Sequence, residues 1–339
     1  YLWAGFGLFL IITRIKWLLN WRLYLGVAVT IICILPIIYW NVLNDFITYR
    51  FHSERVTHSQ LQWDMLGTEI GGEVLYQNPV IFLLIVAALV AMLRRRIRFN
   101  RKKASTWLLC MSLPMIALFW AVAMRNPTLP HWSGPAYIPL YFAAALSLEQ
   151  RSFKAIPGFV KVAGSLVIIV LIAGIALIRL SPVNFGSHEQ QNYGEYCPTL
   201  DLSGWKNFSV SFDSLAKADA AQGHMQQTAP ILINKWFPGG HLEFYTSRTT
   251  GRSLLGIGKL EDIHKFAWLN KDRRPLFLGQ DAYAIVPSNL PMDVQQEYGQ
   301  YFSSIETPVV ISQQRSGRAV RYFYVYRLRR CKQVPTRVI

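Results

Sequence analysis

The run from Ala104 to Met124 is 21 residues long and carries no charge. Seven basic residues precede it: Arg94, Arg95, Arg96, Arg98, Arg101, Lys102 and Lys103. A helix needs about 20 apolar residues to cross the ~30 Å hydrocarbon core of a bilayer. A dense basic cluster at one end marks the end that stays in the cytoplasm. This junction therefore predicts a membrane helix of defined orientation.

The 339 residues change character once, near residue 181. Residues 1–181 hold 17 Lys and Arg against six acids, and the remainder holds 18 against 13. A net charge of +16 could point to nucleic acid, but the positions argue against it. Thirteen of the first 17 basic residues fall in Arg14–Arg22, Arg94–Lys103 and Arg151–Lys161, between apolar runs. That is the positive-inside pattern of a membrane protein. The chain begins YLWAGFGLFLIIT, inside an apolar run and without the basic start or cleavage site of a signal peptide. It reads as truncated, with a segment expected upstream.

Hydropathy predicts five full spans plus one partial. Tyr1–Thr13 runs inward, Leu23–Asn44 outward, Val74–Leu93 inward, Ala104–Met124 outward, Ala136–Leu148 inward and Val162–Ile178 outward. The inner loops then carry 13 basic residues and one acid, Glu149, whereas the outer loops carry four basic residues and five acids. Residues 182–339 are predicted to lie outside the cytoplasm as a small α/β domain, because period-2 apolar runs alternate with helical patterns. Helices are predicted at Phe212–Gln227, His241–Ser247, Leu260–Leu269 and Asp293–Ser303. Strands are predicted at Ile231–Lys235, Leu254–Ile257, Leu276–Pro287, Val309–Gln313 and Val320–Arg327. Cys197 and Cys331 bracket this domain, and an oxidising periplasm would permit a disulfide between them. Isolated cysteines without CxxC spacing do not make a zinc site.

Three polar clusters stand at the predicted outer rim. The first holds Asn41, Asp45 and Arg50 where a span emerges. The second is Glu69-Ile70-Gly71-Gly72-Glu73, followed by Gln77-Asn78-Pro79; its carboxylates suit a sugar hydroxyl or a cation and its glycines permit close backbone approach. The third, Arg125 to Pro135, is stiffened by three prolines, with Arg125 and His131 suited to phosphate and Trp132 to a sugar face. The spans are nearly free of charge, unlike those of a pump. That favours chemistry at the outer boundary on an amphiphilic substrate. Neither GxSxG nor HExxH occurs, so a nucleophilic or zinc hydrolase is poorly supported.

The run LPIIYWNVLNDFITYRF resembles the P-x-x-x-W-N-x-x-H-D-F-x-T-x-R-F segment of bacterial family 39 glycosyltransferases. These are multi-spanning relatives of the protein mannosyltransferases and the lipid A aminoarabinose transferase. GGEVLYQNPVIF, PHWSGPAYIPL and NKWFPGGHLEFYTSR are similar to further segments of that family, in the same order. Asn44 stands where the family often has His, and Ser133-Gly134 replaces Pro-Ala. The resemblance implies a polytopic α-helical membrane protein, the C-terminal part of a GT-C fold, followed by a small extracytoplasmic α/β domain. It implies transfer of a sugar from a polyprenyl-phosphate donor to a lipid, glycan or protein acceptor on the outer face of the bacterial inner membrane. The catalytic Asp of such enzymes lies in a first outer loop, here expected upstream of residue 1. Asn41, Asp45 and Arg50 are the site residues implied by motif, followed by Glu69 and His131, with Arg125 from its position. A divalent cation is compatible with the class, although no cluster has ligand spacing. The rival readings are a transporter or flippase, and a non-catalytic protein of surface-polysaccharide assembly.

Overall fold

The computed structural model describes residues 2–53, 61–99, 103–151 and 155–339. Arg55, Arg101, Lys102 and Lys154, which entered the charge argument, lie outside the described residues. The chain divides into two compact units, Tyr1–Val170 and Leu171–Ile339.

The first unit and the helix leaving it hold α1 (Leu2–Thr13), α2 (Trp21–Leu43), α3 (Ile47–Ser53), α4 (Trp63–Tyr76), α5 (Pro79–Leu93), α6 (Ala104–Ala123), α7 (Gly134–Glu149) and α8 (Gly158–Leu180). Three of them, α2, α6 and α8, are long and apolar enough to cross a membrane. The pair α4 and α5 makes a fourth if counted as one bent span. The predicted span Val74–Leu93 is broken. Asn78 has φ +65°, its side chain accepts from the Val80 N–H, and Pro79 starts α5, so the chain turns by 103° between α4 and α5. The predicted outer loop Asp45–Glu73 is largely helical, in α3 and α4. With 16 residues, α7 is a short helix buried along one face by Ala136, Tyr137, Leu140, Ala143 and Ala144.

Those residues pack with Ile85, Ala88 and Met92 of α5 and Ile116 of α6 to form the core. The alanines let the helices approach closely. Phe6 and Phe9 of α1 meet the Trp107 ring edge-on at 5.7 and 5.1 Å. By contrast, α2 buries only Asn41, and Ile32 and Ile37 are about three-fifths exposed (62% and 63%). Such all-round apolar surface is that of a helix covered by a bilayer or by other protein.

The second unit is built on a six-stranded sheet of order β2-β1-β3-β6-β4, with β5 also paired to β6. The strands are β1 (Ile231–Ile233), β2 (Leu254–Gly256), β3 (Ala282–Pro287), β4 (Phe302–Ile305), β5 (Val309–Arg315) and β6 (Arg318–Cys331). β1 runs parallel to β2 and β3, and β6 runs antiparallel to β3, β4 and β5. Alternation along the strands feeds two cores. Ile231, Ile233, Tyr283, Ile285, Phe323 and Val325 face α9 (Trp205–Ala221) and the helical segments of 236–250. Leu232, Ala282, Ala284, Val286 and Leu328 face Val294 and Tyr298 of the 294–298 helix.

The helix predicted from Phe212 begins earlier, at Trp205, because Trp205, Phe208, Phe212 and Ala216 form one buried face despite a polar, weakly helix-forming start. The helix predicted over Leu260–Leu269 is interrupted at His264 (φ +48°), and the strand predicted from Leu276 starts at Ala282. Asp293–Ser303 splits into a short helix and β4. The predicted hairpin forms across Ser316-Gly317. All four cysteines are free, so the predicted Cys197–Cys331 disulfide does not form. Cys197 packs with Leu200 and Val320, whereas Cys331 packs in the other core with Phe302 and Leu328. The end of α8 belongs to this unit: Arg315 Nη1 donates to the Leu177 carbonyl and Ser316 Oγ to that of Leu180.

Asp219 and Arg321 are among the charged side chains buried here. Asp219 accepts from Arg327 Nε and Nη2 at 2.8 and 2.7 Å and from the Tyr283 hydroxyl at 2.9 Å. Burial opposes its ionisation, but these hydrogen bonds more than offset it and hold the carboxyl below its ordinary value. Arg321 is fully buried, with its guanidinium 4.5 Å from the Trp205 ring and 4.4 Å from that of Phe323. Burial pushes it down to about 9, which leaves it charged at neutral pH.

Candidate functional site

Helix α4 carries Glu69, Glu73 and Gln77 at intervals of four, and Gln77 caps its end. That spacing places the three on one face. All are buried, at 2%, 0% and 6% exposure. Buried carboxylates require hydrogen-bond donors, and the donors come from elements far away in sequence. Glu73 Oε2 accepts from Trp120 Nε1 of α6 at 2.9 Å and from the Tyr137 hydroxyl of α7 at 2.8 Å. Glu69 Oε2 accepts from Thr128 Oγ1 at 2.8 Å. The Tyr141 hydroxyl donates to Gln77 Oε1. Tyr137 and Tyr141 are themselves four apart, so two helical ladders face each other.

The proline-rich loop lies on this helix. Gly72 allows it: a Cβ there would stand 2.2 Å from Pro130 Cγ. Gly71 faces open space, so of the two glycines only Gly72 is required for packing. The Gln62 N–H donates to the Met124 carbonyl, joining the start of α4 to the end of α6. His131 lies 6.2 Å from the Tyr76 ring and 6.4 Å from that of Trp132. Arg125 and His131 are exposed. The second oxygens of Glu69 and Glu73 and the Gln77 amide nitrogen are buried with no hydrogen-bond partner. The site thus has spare acceptors and one spare donor inside, and basic and aromatic side chains at its rim.

The structure therefore joins the second and third predicted clusters. The first is organised locally. Asn41 is buried, and its Nδ2 donates to the Ile37 carbonyl four residues back. Asp45 and Phe46 take positive φ (+51° and +53°) after α2. The Arg50 guanidinium donates from Nε to the Asp45 carbonyl at 2.8 Å and stands 3.8 Å from its exposed carboxylate. This arrangement closes the turn between α2 and α3.

Trp120, Tyr137 and Tyr141 were missed by the sequence reading, which held Gln77 and Thr128 only as members of the second and third clusters. The signal that could have found them was the Glu-x3-Glu-x3-Gln spacing matched by Tyr-x3-Tyr. Among the described residues no group of three or more His, Cys, Asp or Glu side chains could hold a metal ion. Comparison of the chain with protein-family models, curated proteins and solved structures finds no match.

Proposed function

We propose that the protein is a membrane glycosyltransferase that moves a sugar from a polyprenyl-phosphate donor to a lipid, glycan or protein acceptor at the outer face of a bacterial inner membrane. The observation that carries this reading is the buried pair Glu69 and Glu73, each with one oxygen unused, beneath a loop bearing Arg125, His131 and Trp132. Carboxylates with free lone pairs bind sugar hydroxyls, and Arg suits phosphate. The positive-inside rule supports the sidedness. Arg94–Arg96 follow α5 and Lys103 precedes α6, so Pro79 and Ala123, at the opposite ends of these helices, stand outside. The 103° turn then lays α4 nearly along the membrane plane, where a lipid-linked sugar would meet it. With Arg151–Lys161 inside, α8 leads outward and carries the second unit to the periplasmic side.

In this mechanism the acceptor displaces the lipid phosphate at the anomeric carbon. The phosphate leaves without protonation, so the needs are an acceptor base and stabilisation of charge. An acidic side chain of the kind that the family resemblance implies serves as the base, and the residues named here bind the donor. Glu69 holds the sugar, and Arg125 and His131 hold the phosphate. Membranes containing the protein are incubated with radiolabelled polyprenyl-phosphate sugars and sugar transfer is counted. Glu69→Gln and Arg125→Ala each lower turnover at least tenfold; unchanged turnover in both overturns the reading. Asp45→Ala and Arg50→Ala, measured alongside, decide whether the α2–α3 turn takes part. A second reading, a proton-coupled transporter, draws on the same buried carboxylates, because intramembrane acids serve as proton carriers. Proton uptake by proteoliposomes that is lost in Glu73→Gln, without sugar transfer, would select it.

A further inference from the structure

We propose that the second unit binds a neutral carbohydrate in the crevice between the carboxyl ends of β1 and β3, and the proposal does not rest on the transferase reading. The topology creates the crevice. From β1 the chain passes through the helical segments of 236–250, on the α9 face of the sheet, to reach β2 on one side. From β3 it passes through the 294–298 helix, on the opposite face, to reach β4 beyond β6. The two exits diverge, and in open α/β sheets such a switch point is where ligands bind. A cavity of about 580 Å³ lies there, lined by residues that follow β1 and β3 and by the 195–201 segment. That volume suits a small ligand.

Its polar groups are prearranged. Asn289, 5% exposed, receives Arg321 Nη1 on its Oδ1 at 3.2 Å and donates from Nδ2 to Asp201 Oδ1 at 3.2 Å. The fully buried arginine thereby fixes which way the amide points. Asn234, directly after β1, is half-buried and lines the same space. At the rim Tyr196 is 89% exposed with φ +63°. A bulky residue in the left-handed region is strained, and such strain concentrates at binding sites. Phe237 supplies a second ring to the lining.

The chemistry selects the ligand class. Glu195, Asp201, Asp293 and Glu297 face one cation, Lys235, so phosphates and nucleotides are repelled. An ammonium ligand, which only donates, would leave the amide N–H of Asn234 and the charge of Lys235 without an acceptor. Hydroxyl groups both donate to carboxylates and accept from amides, and a sugar ring presents an apolar face to an aromatic side chain. A hydroxyl-rich neutral ring uses every element of this lining.

The test uses the full chain in phosphatidylcholine nanodiscs, where no sugar-headed detergent competes. Saturation-transfer NMR is recorded with neutral hexose, pentose and N-acetylhexosamine mono- and disaccharides, with putrescine and inorganic phosphate as controls. At least one saccharide binds saturably. Tyr196→Ala weakens it roughly three- to tenfold, the range of one aromatic contact, while Tyr196→Phe retains it. Asn234→Ala weakens it comparably. Absence of saturable saccharide binding, binding of putrescine or phosphate alone, or saccharide binding indifferent to both alanine variants overturns the proposal.

Discussion

Replacing Asp219 with Asn removes the carboxylate that Arg327 meets at hydrogen-bond distance, at 2.7 Å, while sparing an acceptor for Tyr283. Asp219 is buried and Arg327 is half-buried, with side-chain exposure of 3% and 15%. Breaking a buried pair by deleting one member costs about 3–5 kcal/mol, because the other charge stays buried without compensation. Glu306 lies 3.7 Å from Arg327 Nη1 and is 43% exposed, so it recovers part of the attraction. The cost therefore falls at the lower end, about 3 kcal/mol, or roughly 150-fold in an opening equilibrium at 1.36 kcal/mol per decade. Hydrogen exchange of the α9 amides in the intact chain reads that opening directly. Protection of residues 209–221 drops by about that factor in Asp219→Asn, and the double variant with Arg327→Met recovers most of it, since an apolar replacement leaves no stranded charge. Protection within fivefold of wild type in Asp219→Asn would refute the assignment of this pair as the lock between α9 and the sheet.

Acid weakens the same lock. The folded carboxyl of Asp219 sits below its ordinary value, so its stabilisation is complete above about pH 4 and is lost as pH falls through the folded value. Exchange at α9 measured down a pH series rises there in wild type and flattens in Asp219→Asn. Gly72→Ala places a Cβ against Pro130 and forces the loop off α4, at a cost of about 1–3 kcal/mol in detergent thermal unfolding. Gly71→Ala, at an open position, leaves unfolding within about 0.5 kcal/mol of wild type. Because all four cysteines are free, alkylation after denaturation without reductant modifies all four, as intact mass shows.

The apolar helices were legible because apolarity is a matter of local composition. The edges of α2, α6, α7 and α8 fall within about four residues of the apolar runs, since charged and polar residues end such a run wherever the chain later packs, whereas Pro36, Pro114 and Pro139 lie inside α2, α6 and α7. The break at Gln77-Asn78 was less visible. It rests on a left-handed Asn before a proline inside a segment that is apolar on average. In the second unit β1, β2 and the β5–β6 hairpin were readable from period-2 runs. The start of α9 was not, because burial of Trp205 and Phe208 overrides the weak helix propensity of Asn207 and Ser209.

The chain's own order of residues determined which stretches are apolar enough to cross a membrane, where the basic loops fall and that two units of different composition follow one another. These are properties of neighbours along the chain, and solvent transfer free energy adds up over neighbours. Tertiary structure alone decided that Glu69 meets Thr128, that Glu73 meets Trp120 and Tyr137, and that Cys197 and Cys331 part company. It also decided that Asp219 locks onto Arg327 and that Asn234 and Asn289 flank one crevice. The carboxylate partners lie 47 to 64 residues apart. Nothing local encodes such a meeting. It follows from helices packed closely enough that a buried carboxylate must take its hydrogen bonds from whichever donor the packing brings within reach.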